Sequence, residues 1–165
     1  EQAQADGIVS EYGDLATLCP LADIIILAVP PLSVADILSE VRVHMKPTAI
    51  ITDAASVKSH IFSDEQRFTE NDLANFVPTH PIAGSERSGY SAAVDDLFEG
   101  RNVILTPHSG NSAVTVGAVN LLWRELGANV LGMTSVRHDE VLRRPRRAPP
   151  RAAPIIVRSK PHGNE

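Results

Sequence analysis

The residues best equipped for chemistry stand together at Thr79-His80-Pro81-Ile82-Ala83-Gly84-Ser85-Glu86-Arg87-Ser88-Gly89. Imidazole has an unperturbed pKa of about 6.5, so neutral His80 is able to take a proton from a hydroxyl near pH 7. Pro81 limits the backbone beside it. Gly84 and Gly89 permit conformations or close approaches that a side chain forbids. Ser85, Glu86, Arg87 and Ser88 crowd polar groups around the same turn. A lone histidine at such a place more often caps a strand through a local hydrogen bond, so the case for chemistry rests on the other segments.

The elements that would position His80 follow from hydrophobic patterning. Asp23-Ile24-Ile25-Ile26-Leu27-Ala28-Val29-Pro30 is a continuous, β-branched run, the pattern of a strand buried on both faces. Pro30-Pro31 ends it. Ser33, with Asp36 three residues on, predicts a helix start of the capping-box kind, and Val34, Ile37, Leu38 and Val41 keep helical spacing. Lys46-Pro47 closes that helix. Ala49 to Asp53 reads as the next strand, and Ser56 as the opening of a helix with Val57, Ile61 and Phe62 on its inner face. A strand over 76–79 leads into the His80 loop. A helix near 91–98, a strand over 103–106, a helix with Val116, Val119, Trp123 and Leu126 on one side and Gly127 at its end, a strand over 129–133 and a helix from Ser135 complete the series. Before all of these, 1–7 reads as the end of a helix capped by Gly7, and 15–21 as a helical turn. Strands alternating with helices predict an α/β fold with a doubly wound, mostly parallel sheet. Right-handed crossovers would set the loops after Val29, Asp53 and His80 on one edge, where ligands bind in such sheets.

Four segments in register carry a resemblance to a known family. His80 to Gly89 resembles the His-Pro loop of the prephenate and arogenate dehydrogenases. Asp53-Ala54-Ala55-Ser56-Val57-Lys58 resembles their Asp-x-x-Ser-Val-Lys segment. Leu97-Phe98-Glu99-Gly100, followed by Val103-Ile104-Leu105-Thr106-Pro107, and His138-Asp139-Glu140-Val141 also fit. The resemblance covers roughly residues 1 to 142 and implies a Rossmann-like sheet, incomplete at the N-terminus.

It also implies a reaction: NAD- or NADP-dependent oxidative decarboxylation of prephenate to 4-hydroxyphenylpyruvate, or of arogenate to tyrosine. By position, His80 matches the family's catalytic histidine. Ser56 matches the serine that hydrogen-bonds near the reacting hydroxyl and the nicotinamide. Ser85 and Glu86 fall where the family lines and gates its substrate pocket. The backbone of Ala28, Val29 and Pro30 would pass beside the cofactor. Lys58 reads as a surface or structural contact and His138 as structural. His44, His60, His108 and His162 read as surface residues, and no Cys/His cluster has metal-ligand spacing.

Composition sets the remaining bounds. The 165 residues are enough for one domain with a real core; 43% are hydrophobic and 21% charged, as in an ordinary globular protein. Residues 143–165 hold seven of the fifteen Lys+Arg and one of the twenty Asp+Glu. The first 142 therefore carry eight basic and nineteen acidic groups, a balance of -11 that argues against a nucleic-acid surface. One cysteine, Cys19, rules out an intrachain disulfide and suits a reducing, cytoplasmic compartment. It reads as a small buried residue. No stretch has the length of a membrane span, and no signal peptide is visible.

The two ends depart from the family pattern. No Gly-x-Gly-x-x-Gly turn occurs anywhere, so the expectation is that a βαβ unit of roughly thirty residues is lacking at the front. After Leu142 the chain turns rich in Arg and Pro, with five prolines between 145 and 161. The sequence thus divides into a partial dinucleotide-binding and catalytic domain, 1–142, and a basic tail, 143–165, expected to be disordered. The family's helical dimerisation domain, with the arginine that binds the substrate carboxylate, is not in this sequence. Two rival readings remain: another βαβ-type dehydrogenase of a small acid, or an inactive fragment of the family enzyme.

Overall fold

The computed structural model describes residues 2–58, 68–69, 71–84, 93–142 and 155–157. The β-branched run becomes strand β1, Ile24–Leu27. A 3-10 turn over Pro31–Ser33 feeds helix α3, Val34–His44, which follows two short helices, α1 at Gln2–Ala5 and α2 at Leu15–Leu18. Strand β2, Ile50–Asp53, lies parallel to β1, with Ile25 opposite Ile51 and Leu27 opposite Asp53. Strand β3, Phe76–Val77, lies parallel to β2. The chain then passes Pro78 into a second sheet. There β4, Thr79–Pro81, runs antiparallel to β5, Asn102–Leu105, and β6, Asn129–Gly132, runs parallel to β5. Helix α4, Ala113–Glu125, crosses between β5 and β6, and α5, Ser135–Leu142, follows. The expected α/β, mostly parallel arrangement is what forms.

Two apolar clusters hold it. Val34, Leu38 and Val41, four and three residues apart on α3, are fully buried against Ile25, Leu27, Ile51 and Phe76. Val119 and Trp123 of α4 meet Val77, Val103, Leu105 and Ala128 in the second, where Phe98 packs edge-on to Trp123 with ring centroids 5.1 Å apart. Full burial of each such side chain contributes about 1.5–3 kcal/mol. Ser112 caps α4 by accepting from the Thr115 amide at 3.0 Å. Gly127, at φ 79°, ends it in the left-handed conformation that glycine tolerates best.

Several expectations are corrected. Ser33 makes no side-chain cap, because the 3-10 turn before α3 holds it in helical conformation at φ -94°, ψ -10°; Asp36 does lie in the first turn. The single strand over 76–79 is two strands, since Pro78 has no N–H to continue the ladder. His80 therefore stands within β4, opposite Ile104, rather than in a loop. Residues 95–100 form turns and no helix. Leu126 is exposed at the end of α4, not part of its inner face. Ser56 lies in a bend and opens no helix up to Lys58, and Val57, expected on the inner face, is exposed; the rest of the expected helix, with Ile61 and Phe62, lies outside the described residues.

Most of the tail lies outside them too, but Ile155–Val157 forms strand β7, antiparallel to β1, with Ile24 opposite Val157. An outer strand edge presents unpaired N–H and C=O groups, and a β-branched triplet suits it. β1, β2 and β3 adjoin one another as strands four to six do in the doubly wound order 3-2-1-4-5-6. β7 thus takes the edge of β1 where that order sets its first strand.

Candidate active site

The parallel registers bring the carboxyl ends of β1, β2 and β3 to one edge of the sheet. At that edge Asp53, the last residue of β2, is fully buried. Its Oδ1 accepts from the Thr79 amide at 2.9 Å and its Oδ2 from the Ala55 amide at 3.1 Å. The Thr79 hydroxyl donates to the Asp53 carbonyl and lies 3.0 Å from the Thr52 hydroxyl. These bonds lock the start of β4 to the end of β2 and so fix the residue beside His80.

Lys58 is also fully buried, and its ammonium forms an ion pair with Asp53 Oδ2. Burial pushes the lysine pKa down, and the carboxylates of Asp53 and Asp139 oppose that shift. The backbone N–H of Lys58 donates to Asp139 Oδ1 at 3.1 Å. Lys58 is thus a structural contact and not a surface one.

His80, only 6% exposed, faces α5. Its Nδ1 lies 2.8 Å from Nε2 of His138, a fully buried residue on that helix. The two rings meet edge to face, with centroids 5.0 Å apart. His138 Nδ1 in turn lies 2.7 Å from Asp139 Oδ1. A continuous chain therefore runs His80, His138, Asp139, Lys58, Asp53, and ties β4, α5 and the segment after β2 together. A histidine backed by a second imidazole and a carboxylate is equipped to take up a proton and to hold the resulting charge.

The other sequence-predicted residues fall as follows. Ser56 is half-buried and lies in sequence between Asp53 and Lys58, both of them members of the chain. Val29 is buried, and Ala28 and Pro30 are half-buried, just past the end of β1; the Ser33 amide donates to the Pro30 carbonyl at 2.9 Å. Ser85 and Glu86 lie outside the described residues. His44 is half-buried. His108, expected at the surface, is half-buried and bridges the Leu73 carbonyl at 2.9 Å and the Gly110 amide at 3.1 Å. His60 and His162 lie outside the described residues. Sequence reasoning missed the direct contact between His138 and His80. Its signal was present, as the His138-Asp139 pair within a matching segment, but 58 positions of separation hide such a contact.

Val29, Ser56 and His80 each follow the end of a strand, β1, β2 and β3 in turn, at the edge where doubly wound sheets bind ligands, and an apolar side chain, a hydroxyl and an imidazole there could hold the nicotinamide end of a dinucleotide. A pyrophosphate cradle of the Gly-x-Gly-x-x-Gly kind is not in this sequence. Among the described residues no group of His, Cys, Asp and Glu could hold a metal ion. None of their helices is long and apolar enough to cross a membrane.

Comparison with known proteins gives a consistent result. The family described as "Prephenate dehydrogenase, nucleotide-binding domain" matches residues 1–132. A cyclohexadienyl dehydrogenase of Zymomonas mobilis is 32% identical over 121 residues, 73% of this chain and 41% of that protein. Among solved structures, prephenate dehydrogenase from Aquifex aeolicus in complex with hydroxyphenyl propionate and NAD+ superimposes with a TM-score of 0.76 at 31% identity, over 85% of this chain and 49% of that one. Arogenate dehydrogenase from Synechocystis does so with a TM-score of 0.75 at 30% identity, over 86% and 49%. The chain thus spans about two fifths of that curated relative and half of each structure.

Proposed function

Because this chain belongs to the prephenate dehydrogenase family through its nucleotide-binding domain, we propose that it supplies the proton-accepting and nicotinamide-facing side of an NAD(P)-dependent oxidative decarboxylation. The substrate is prephenate or arogenate, and the step belongs to tyrosine biosynthesis. The nicotinamide, when bound, accepts a hydride from the ring carbon that carries the hydroxyl. This chain's residues do the rest of what falls on this side. His80 takes the hydroxyl proton at Nε2 as the carbonyl forms, a reading supported by its Nδ1 lying 2.8 Å from His138 Nε2. Ser56 hydrogen-bonds the same hydroxyl. Ser85 and Glu86 line the substrate pocket. Ala28, Val29 and Pro30 pass beside the cofactor and exclude water from it. Loss of carbon dioxide then leaves an aromatic ring.

The observation that carries this reading is the buried His80, set at the carboxyl edge of the sheet and backed by His138 and Asp139. A cytoplasmic enzyme, dimeric through a helical domain outside these residues, completes it. The test is a steady-state assay with prephenate and with arogenate, each with NAD and with NADP, on a chain extended at both ends to the length of its relatives. Turnover with one of these pairs is expected; no turnover with any of the four would refute the reading.

The 165 residues alone should turn over weakly or not at all, since a dinucleotide pyrophosphate would find no glycine turn among them. An inactive domain of this family is therefore the second reading, favoured by the position of β7 against β1.

A further inference from the structure

The hydrogen-bond chain behind His80 has a direction, and the direction decides what His80 can do. An ionised carboxylate only accepts. Asp139 Oδ1 therefore takes a hydrogen from His138 Nδ1, 2.7 Å away. A neutral His138 with its proton on Nδ1 has a bare Nε2. That atom, 2.8 Å from His80 Nδ1, must accept from it. His80 then carries its proton on Nδ1 and a lone pair on Nε2. Free histidine favours the opposite tautomer, with the proton on Nε2, where it could only donate to a substrate hydroxyl. The hydrogen bond made by one ring nitrogen sets the state of the other.

From this we infer that His138 and Asp139 are positioning residues for the reaction proposed above, which hold His80 in its Nδ1–H tautomer and so turn Nε2 into the acceptor. Three features of the site support the assignment. His138 is fully buried, so water does not compete for its ring. The Lys58 amide donates to the same Asp139 oxygen at 3.1 Å and holds it in place. Thr79, bound to Asp53 through its amide, fixes the backbone of β4 beside His80. When His80 takes up a proton at Nε2, its Nδ1–H still points at His138, and the imidazolium faces a chain that ends in a carboxylate. Asp139 thus serves both states of the base.

The test is nitrogen-15 NMR of the histidine rings in this 165-residue chain, with no substrate or cofactor present. In the wild-type protein His80 is expected as the Nδ1–H tautomer. His138→Phe fills the site without an acceptor, and Asp139→Ala removes the carboxylate; in each, His80 should revert to Nε2–H. Asp139→Asn should retain Nδ1–H. The Lys58 amide needs the acceptor oxygen where it now stands, and that oxygen also receives the His138 proton. Nε2–H in the wild-type chain would overturn the inference, and that spectrum decides even where a variant fails to fold. An unchanged tautomer in both His138→Phe and Asp139→Ala would overturn it as well. In the extended, active chain, Asp139→Ala should lower kcat about 10²-fold with little change in cofactor KM, as expected for loss of base assistance. Since the NMR result needs no turnover, failure of the tautomer assignment and failure of the proposed reaction are separately visible.

Discussion

Replacing Lys58 by Met should test whether the buried ion pair anchors the site. Lys58 and Asp53 are both fully buried. Removing one partner of such a pair leaves a charge without its counterion, which typically costs about 3–5 kcal/mol. Here the carboxylate keeps two backbone donors, the Thr79 amide on Oδ1 and the Ala55 amide on Oδ2. Those bonds to a charged acceptor offset part of the loss, so the expected cost lies at the lower end, about 3 kcal/mol. Small domains have a total stability of about 5–15 kcal/mol, so the effect is large. Urea denaturation of the wild type and Lys58→Met, followed by tryptophan fluorescence of the single Trp123, reads it as a lower midpoint at unchanged slope. The double variant Lys58→Met, Asp53→Asn should recover part of the loss, because the orphaned charge is then gone. A Lys58→Met cost under about 1 kcal/mol would refute the reasoning, since surface pairs give that much and buried ones do not.

Gly127→Ala should cost about 1–2 kcal/mol for the left-handed backbone alone, with φ 79° there. The added Cβ would also lie 3.2 Å from the Glu99 Cα, so thermal unfolding should show a clear drop in Tm. Asp72 tests acid stability. Its carboxyl, bonded first by the Thr69 amide and hydroxyl and then by Arg42, is held at about 2 against a usual 3.8. A folded pKa below the unfolded one gives stability present above the unfolded value and lost as pH falls toward about 2. Asp72→Asn should therefore flatten the acid limb of stability between those two values, read by denaturation at stepped pH; an unchanged limb would contradict the assignment.

The order of strands and helices was legible because buried strands write β-branched runs and packed helices write a three-and-four spacing, as in Ile24–Leu27 and in Val34, Leu38 and Val41. Local misreadings trace to particular residues. Pro78 breaks a hydrophobic run that patterning alone joins. Ser33 has the type of a cap but not its backbone angles, because the preceding prolines start a 3-10 turn. The residues over 95–100, Asp-Asp-Leu-Phe-Glu-Gly, stay in turns, with Gly100 at a φ of 64°. Of the proposed site, His80 and Ser56 were singled out from local motifs. The side chains behind His80 were not, because the contacts of His138 and Asp139 join elements far apart in the chain, and only the folded sheet edge sets them side by side.

The most direct measurement on the central claim is the steady-state turnover of His80→Asn in the extended chain, alongside cofactor binding by the same variant. Base assistance at the hydroxyl is made only as hydride leaves, so kcat and kcat/KM should fall together, by about 10²–10⁴-fold. Cofactor affinity should stay within about twofold of wild type, since an interaction confined to the transition state adds nothing to ground-state binding. Turnover equal to wild type by His80→Asn would remove the proton-accepting role from this histidine.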